Sequence, residues 1–161
     1  MERINKILHH SQFQKALEEI EAAEKDRIFC RHGITHLLDT ARLAYIYELE
    51  AGGQIPKEMI YAAALLHDIG RACEYADGRP HHEAGMDIAA KILPECGFSQ
   101  TETEAILEAI AFHRRQSEGD SGKRLSALLF QADKASRNCF ACSSRKWCKW
   151  KESDMNFKID S

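Results

Sequence analysis

Apolar residues recur every three or four positions along most of the chain, which is the spacing of an amphipathic helix. The pattern predicts a first helix over residues 2–24. Its expected inward-facing residues are Ile4, Leu8, Phe13, Leu17 and Ile20. A second helix is expected to begin near Gly33 and to end at the Gly52-Gly53 pair, because glycine is common where helices end.

The same spacing continues through the middle of the chain. Pro56 suits the first turn of a helix, and the apolar run after it predicts a third helix that Ile69-Gly70 closes. The segment ADGRP, residues 76–80, is expected to form a turn or loop. A fourth helix is then predicted over residues 82–96.

Two further helices are predicted in the C-terminal half. Ser99 and Glu102 have the spacing of a capping box, which indicates the start of a fifth helix that reaches about Arg115. The polar stretch 116–123 is expected to be a loop, and the apolar pattern of residues 125–137 predicts a sixth helix.

The composition favours the same fold class. The 161 residues include 21 alanines and no valine, and alanine favours helices whereas β-branched residues favour strands. We therefore expect an all-α protein, a compact bundle of about six helices. A chain of this length suits a single domain over residues 1–161. Its motifs lie within residues 30–137, and residues 138–161 form an irregular tail that contains cysteine and tryptophan.

Charge and apolar runs limit the expected partners. The formal net charge is −3 and the pI is about 6.2, so we expect no nucleic-acid partner and no membrane partner. The first residues, MERINKILHHSQFQ, lack the apolar stretch of a signal peptide, and no run approaches the roughly 18 apolar residues of a membrane span. The sequence therefore predicts a cytoplasmic protein.

The placement of histidine and aspartate suggests a metal site. His67 and Asp68 follow an apolar helical stretch, and such a pair alone would suit a capped helix end equally well. Further groups with similar apolar flanks are His36, His81, His113 and Asp133. Helix bundles build metal sites from inward side chains on facing helices. Imidazole and carboxylate ligands suit divalent Fe, Mn, Zn, Ni or Co, and carboxylates also bind Mg.

The order of these residues, H…HD…H…H…D, resembles that of the HD superfamily of metal-dependent phosphohydrolases. The blocks are RHGITHLLDTARLA, ALLHDIGRA, RPHHEAGMDIA, EAIAFHRR and FQADKASR. The resemblance implies an HD-domain helical fold with one or two divalent ions. It assigns one ion to His36, His67, Asp68 and Asp133, and a second ion to Asp68, His81 and His113. Asp68 would bridge the two ions and act in catalysis.

The resemblance also bears on the substrate. It implies hydrolysis of a phosphoester or phosphoanhydride in a small phosphorylated substrate, most simply a nucleotide, as in the members that cleave dinucleoside polyphosphates. Enzymes of this superfamily that cleave cyclic dinucleotides usually carry paired histidines at the fourth block, where this chain has His113-Arg114, and a GYP segment that is absent here. We do not expect that substrate class.

Two pairs of neighbouring histidines leave a choice of ligand. Members of the superfamily tend to place the ligand of the third block four residues before a small residue. His81 stands four residues before Gly85, so it is preferred to His82. His36 is preferred to His32 because the apolar helical pattern begins directly after it. His32 is expected at the helix start or beside a ligand.

Basic residues beside the motifs are candidates for binding the substrate phosphate. They are Arg42, Arg71, Arg114 and Arg137 as binding residues and Lys134 as a catalytic one. Lys134 and Arg137 are the preferred contacts. The alternative for each of them is an ordinary solvated helix surface.

The tail carries three cysteines in a C-x2-C-x5-C array, and a fourth lies near the second helix. They are Cys139, Cys142, Cys148 and Cys30. Four thiolates would complete a structural zinc or iron–sulfur site. The alternative is reduced thiols that pack beside Trp147 and Trp150.

Two other functions use the same residues. Some proteins of the HD fold use this ligand set as a di-iron centre that activates oxygen. A non-catalytic module that binds metal or nucleotide for regulation is the third hypothesis, and retention of the full ligand set argues against it. A homodimer through an exposed helix face is compatible with the sequence.

Overall fold

The computed structural model describes residues 1–113 and 121–159, and helices account for most of them. In chain order the α-helices are α1 (Glu2–His9), α2 (Ser11–Ala23), α3 (Ile34–Glu50), α4 (Lys57–Leu66), α5 (Arg71–Asp77), α6 (His81–Glu95), α7 (Gln100–Phe112) and α8 (Ser121–Ala135). Short 3-10 turns follow at Cys139–Ala141, Arg145–Trp147 and Glu152–Asp154. These two ranges contain no strand, so the all-α prediction is confirmed.

The first predicted helix is two separate helices in the structure, because the helical conformation is interrupted at His10. This residue has an extended backbone (φ −71°, ψ 129°). Its Nδ1 accepts a hydrogen bond from the amide N–H of Gln12 at 3.2 Å, and its Nε2 lies 3.0 Å from Glu95 Oε2. Buried apolar residues recur on both sides of this break, with Ile4 and Ile7 in α1 and Phe13, Leu17 and Ile20 in α2. The periodicity alone could not reveal this break.

A turn that the sequence did not predict separates α4 from α5. The third predicted helix was expected to continue to Ile69-Gly70, but α4 ends at Leu66 and residues 67–70 form a turn. The helix over residues 71–77 had not been expected. His67 and Asp68 therefore lie in a turn between two helices.

The later elements agree more closely with the sequence. The capping box is confirmed: Ser99 Oγ accepts from the Glu102 amide at 3.3 Å, and Glu102 Oε2 accepts from the Ser99 amide at 2.9 Å. The fourth helix begins at His81, one residue earlier than predicted. The last helix begins at Ser121, inside the stretch 116–123 that was predicted to be a loop, and the first part of that stretch lies outside the described residues.

The helices enclose one apolar core, and α4 lies within it. α3 packs against α4 and α8, while α7 packs against α6 and α8. Residues 62–66 of α4 are all buried, so the turn that follows begins inside the protein. This is how a sequence of ordinary apolar residues carries His67 and Asp68 into the interior. In the part of the chain that the structure describes, no helix is both long and apolar enough to cross a membrane.

The turn after α4 also lies against the start of α6. Gly70 has an ordinary helical φ of −71°, so glycine is needed there for space and not for its conformational freedom. A Cβ atom on Gly70 would overlap the carbonyl oxygen of His81 and the amide nitrogen of Gly85. The close approach of these two backbones brings His81 beside Asp68.

This contact predicts that Gly70→Ala lowers the free energy of unfolding by about 3 kcal/mol or more, because backbone atoms would have to move apart. Gly85→Ala is the matched control. Its Cβ would find its nearest neighbours at 3.5 Å and 3.7 Å, which is ordinary van der Waals contact. We expect it to cost less than about 1 kcal/mol, since alanine also favours the helix. Urea unfolding of both variants measures the difference, and equal stability would contradict the predicted clash.

Candidate metal centre

Six donor residues from five parts of the chain meet beside the turn at residues 67–70. They fall into two groups, and the donor atoms of each group lie within 4.8 Å of one another. One group is His36, His67, Asp68 and Asp133, and the other is Asp68, His81 and His113. α3, the turn, α6, the residue after α7 and α8 contribute them. The structure therefore brings together all six residues that the sequence singled out, and it leaves His82 outside both groups.

Asp68 belongs to both groups through different oxygens. Its Oδ2 lies 3.2 Å from His67 Nε2 and 3.6 Å from His36 Nε2. Its Oδ1 lies 3.5 Å from His81 Nε2. Asp133 Oδ1 faces the first group, at 3.2 Å from His36 Nε2. A carboxylate placed in this way can bind one ion through each oxygen.

Each of the four histidines directs Nδ1 to an oxygen acceptor and Nε2 to the centre. Nδ1 of His36 lies 3.1 Å from Ser136 Oγ, and Nδ1 of His67 lies 2.7 Å from Ala64 O. Nδ1 of His81 lies 3.0 Å from the Glu74 carboxylate, and Nδ1 of His113 lies 2.6 Å from Ile110 O. Ser136 donates its own proton to Asp133 O at 2.7 Å, so its Oγ accepts from the histidine. These contacts favour the neutral tautomer with the ring proton on Nδ1, in which Nε2 presents its lone pair to the centre as in a metal-binding histidine.

Two of these Nε2 atoms lack any other partner. Nε2 of His67 and Nε2 of His81 are buried, and neither forms a hydrogen bond with any residue that the structure describes. A buried polar atom without a partner costs roughly 1–3 kcal/mol, and native proteins rarely tolerate it. A divalent ion would satisfy both atoms, and the mixed set of imidazoles and carboxylates fits such an ion.

The electrostatics of the site attract positive charge. Burial alone would raise the pKa of Asp68, but the charge of His67 holds it well below its usual value. Burial likewise raises the pKa of Asp133, but the neighbouring imidazoles of His36 and His67 and the guanidinium of Arg137 hold it below its usual value. Burial lowers the pKa of His67, yet the two carboxylates raise it to about 10, so a proton and a cation compete for the same place. Burial lowers the pKa of His113 to about 4, which leaves it neutral at pH 7.

Two of the arginines predicted to bind substrate contact residues of the candidate metal site. Arg71 Nε donates to Asp68 Oδ1 at 2.8 Å. Arg137 is buried, and its Nη2 lies 3.0 Å from His36 Nε2 and 3.1 Å from Asp133 Oδ1. In this structure both guanidinium groups neutralise these carboxylates.

The other three basic candidates have different surroundings. Lys134 lines a cavity of about 580 Å³ beside the centre, and its Nζ lies 4.8 Å from the ring centre of Phe130. Arg42 is exposed, pairs with Asp39 at 3.5 Å and is not among the residues that line this cavity. Arg42 lies six residues after His36 on α3, and at 3.6 residues per turn its side chain is on a different face of the helix from that of His36. Arg114 lies outside the described residues.

Several residues of the site were not identified from the sequence. Glu24 accepts hydrogen bonds from the backbone N–H of His32 at 2.7 Å and from its Nδ1 at 2.5 Å, which fixes His32 Nε2 at 4.0 Å from Asp68 Oδ2. His32 therefore lies beside the proposed ligand Asp68, which is one of the two positions predicted for it from the sequence. Glu74 and Ser136 fix the rings of two proposed ligands. Of these residues, only His32 could be identified from the sequence, by its position before the second helix. Glu24, Glu74 and Ser136 could not, because carboxylates and hydroxyls are common on helix surfaces.

The chain is similar to several known proteins. Residues 33–138 match the family model of the HD domain. An uncharacterised protein of Clostridium beijerinckii is 37% identical over 159 residues, which cover 99% of both chains. Ribonuclease Y of Enterococcus faecalis is 31% identical over 100 residues, which are 62% of this chain and 17% of that protein. The crystal structure of a predicted HD superfamily hydrolase from an uncultured Thermotogales bacterium has the same fold, with a TM-score of 0.62 and 24% identity over 88% of this chain and 79% of that one.

The position of His81 predicts that His81→Ala removes metal from the second group, whereas His82→Ala does not. His81 is buried with its Nε2 toward Asp68, while His82 is half-buried and belongs to neither group. Metal content after loading with Mn²⁺ or Fe²⁺ measures this, with the native fold checked by circular dichroism. Equal metal content in the two variants would contradict the placement.

Proposed function

The chain belongs to the HD domain family, and on that basis we propose that its metal centre hydrolyses a phosphoester or phosphoanhydride of a nucleotide or a related small phosphate. One observation carries this proposal. Two groups of metal donors share a single carboxylate, Asp68, and they lie beside a cavity with a strongly cationic lining. Activation of water and binding of phosphate need these two features next to each other.

In this proposal the six donors hold one or two divalent ions. The first ion would be bound by His36, His67, Asp68 and Asp133, and the second by Asp68, His81 and His113. Such ions lower the pKa of a bound water toward about 7 and bind phosphoryl oxygens. The chain's own part is to keep the imidazoles and carboxylates in place through the Nδ1 contacts and through Arg71 and Arg137.

The cavity supports a phosphorylated and aromatic substrate. Its cationic lining residues are Arg27, Arg71, Lys134, Arg137, Arg145 and Lys149, whereas its acidic ones are Asp133 and Asp154. Phe29, Phe130 and Trp150 also line it. Cations can bind the phosphates of a nucleotide, and aromatic rings can stack on its base. Lys134 remains the preferred phosphate contact, because it lies next to the proposed ligand Asp133.

The size of the cavity favours a small substrate. About 580 Å³ is typical of a site for one small molecule. The name of ribonuclease Y, to which part of this chain is similar, indicates phosphodiester chemistry in that protein. The net charge of −3 gives this chain no general attraction for long nucleic acids. We therefore favour a nucleotide over a polynucleotide.

We also propose that the protein acts in the cytoplasm. All six cysteines are free thiols in the structure. Free thiols are common in proteins of reducing compartments, whereas secreted domains usually pair them.

The proposal predicts that the protein loaded with Mn²⁺, Fe²⁺ or Zn²⁺ releases phosphate or nucleoside monophosphate from members of a nucleotide panel. Asp68→Asn should lower kcat at least about 100-fold, because even outer partners of metal ligands are worth about 10–100-fold. Asp87→Asn, at an exposed aspartate of α6, is the matched control and should leave kcat unchanged. Metal binding without hydrolysis of any substrate would contradict the proposal and favour an oxygen-activating or regulatory role.

A second prediction concerns the phosphate contact. Lys134→Ala should raise KM or lower kcat about tenfold without loss of metal, since hydrogen bonds to charged groups are worth about 1.5–3 kcal/mol. Lys91→Ala removes an exposed lysine on α6 and should behave as wild type. Steady-state kinetics and metal analysis on both variants measure the effect. Wild-type kinetics in Lys134→Ala would remove this residue from the site.

A further inference from the structure

Four cysteines that are distant in sequence line the cavity beside the metal centre. They are Cys30, Cys139, Cys142 and Cys148. Cys139 is buried, and the other three are half-buried. Two distant segments of the chain thus place four cysteines around a common cavity.

Hydrogen bonds hold the two segments that carry these thiols against each other. Arg137 Nη1 donates to the carbonyl oxygen of Arg31 at 3.2 Å, which joins the end of α8 to the residue after Cys30. Asn156 Nδ2 donates to Lys134 O at 2.6 Å and to Arg137 O at 2.8 Å, so the tail folds back onto α8. The tail is thereby fixed at both ends of its cysteine array.

Short turns distribute the tail cysteines along the cavity. The amide of Cys142 donates to Cys139 O at 3.2 Å, and the amide of Cys148 donates to Arg145 O at 3.0 Å. Arg27, Arg145 and Lys149 line the same cavity. Nearby cations stabilise thiolates, the form of cysteine that binds metals.

The four thiols are close enough to influence one another electrostatically. Burial raises the pKa of Cys30, Arg137 lowers it, and the thiols of Cys139, Cys142 and Cys148 raise it further. These opposing effects agree with the position of the four cysteines along one cavity that cationic residues also line.

The spacing of the sulfurs distinguishes between two kinds of ligand. A zinc ion binds thiolates at about 2.3 Å, so any two of its sulfurs lie within about 4.6 Å of each other. Among the cysteines of the described ranges, no three sulfur atoms lie within 4.8 Å of one another. The histidine and aspartate donors of the same chain do reach that distance in each group. A cluster of several iron and sulfide ions is larger than one ion and also takes four cysteines.

We propose that Cys30, Cys139, Cys142 and Cys148 bind an iron–sulfur cluster, which fixes the tail against the loop before α3 and completes one wall of the cavity. This site is separate from the six histidine and aspartate donors. It needs no rearrangement of the helices, because all four cysteines already line one cavity.

Acid-labile sulfide per chain tests the proposal, because only a cluster contains it. We expect about two to four sulfides per full-length chain after anaerobic purification, or after incubation with ferrous iron and sulfide. Cys139→Ser and Cys142→Ser should each reduce sulfide at least about tenfold. Cys73→Ser, at a half-buried cysteine outside the cavity lining, is the matched control and should retain it. Asp68→Asn should also retain it, so this proposal and the hydrolase proposal can fail independently.

Three outcomes would overturn the cluster: no sulfide after incubation with iron and sulfide, bound zinc without sulfide, or wild-type sulfide in Cys139→Ser. If the serine variants do not fold, alkylation of the wild-type protein gives the answer. Removing the cluster should make four additional thiols reactive out of the six in the chain. Unchanged reactivity would also overturn the proposal.

Discussion

The buried carboxylate of Asp68 is the constraint on which the rest of the site depends. Only 1% of this residue is exposed, and a buried charge costs several kcal/mol unless it is paired. Arg71 supplies a permanent cation at 2.8 Å, and the imidazoles of His36, His67 and His81 surround the remaining space. The helices must therefore meet with their polar residues facing this one side chain, and the same concentration of negative charge suits it to hold divalent ions.

The packing of the helices determines how these side chains reach Asp68. α4 is buried along its last five residues, so the chain can turn only inside the protein, and the turn needs a glycine where α6 approaches. The start of α6 then contributes His81, while α8 contributes Asp133. Ring orientation depends on partners from still other segments, such as Glu74 of α5 and Ser136 after α8. The donor geometry thus follows from several helix contacts at once.

The tail after α8 forms one wall of the cavity beside the metal centre. Lys149 and Trp150 line the cavity together with Lys134 of α8, so the proposed substrate site lies between a rigid helix and a segment with short 3-10 turns. Phe140, Trp147 and Phe157 of this segment are exposed, so they contribute little to holding it in place. The hydrogen bonds of Asn156 and Arg137 contribute modestly. A cluster bound by four cysteines would give this wall the rigidity that a site for small phosphates requires.

The sequence by itself determined the helical class, the capping box at Ser99, and the order of residues that identifies six donors. Periodicity reports which face of a helix is apolar, and motif order reports which polar residues interrupt that face. The sequence did not reveal the interruption at His10 or the helix α5, because the apolar spacing continues through both regions. Only the tertiary structure decided that Arg71 and Arg137 contact carboxylates, that Arg42 faces away, and that Glu24 fixes His32. These roles depend on which residues from distant segments become neighbours, and no local pattern of a sequence records that.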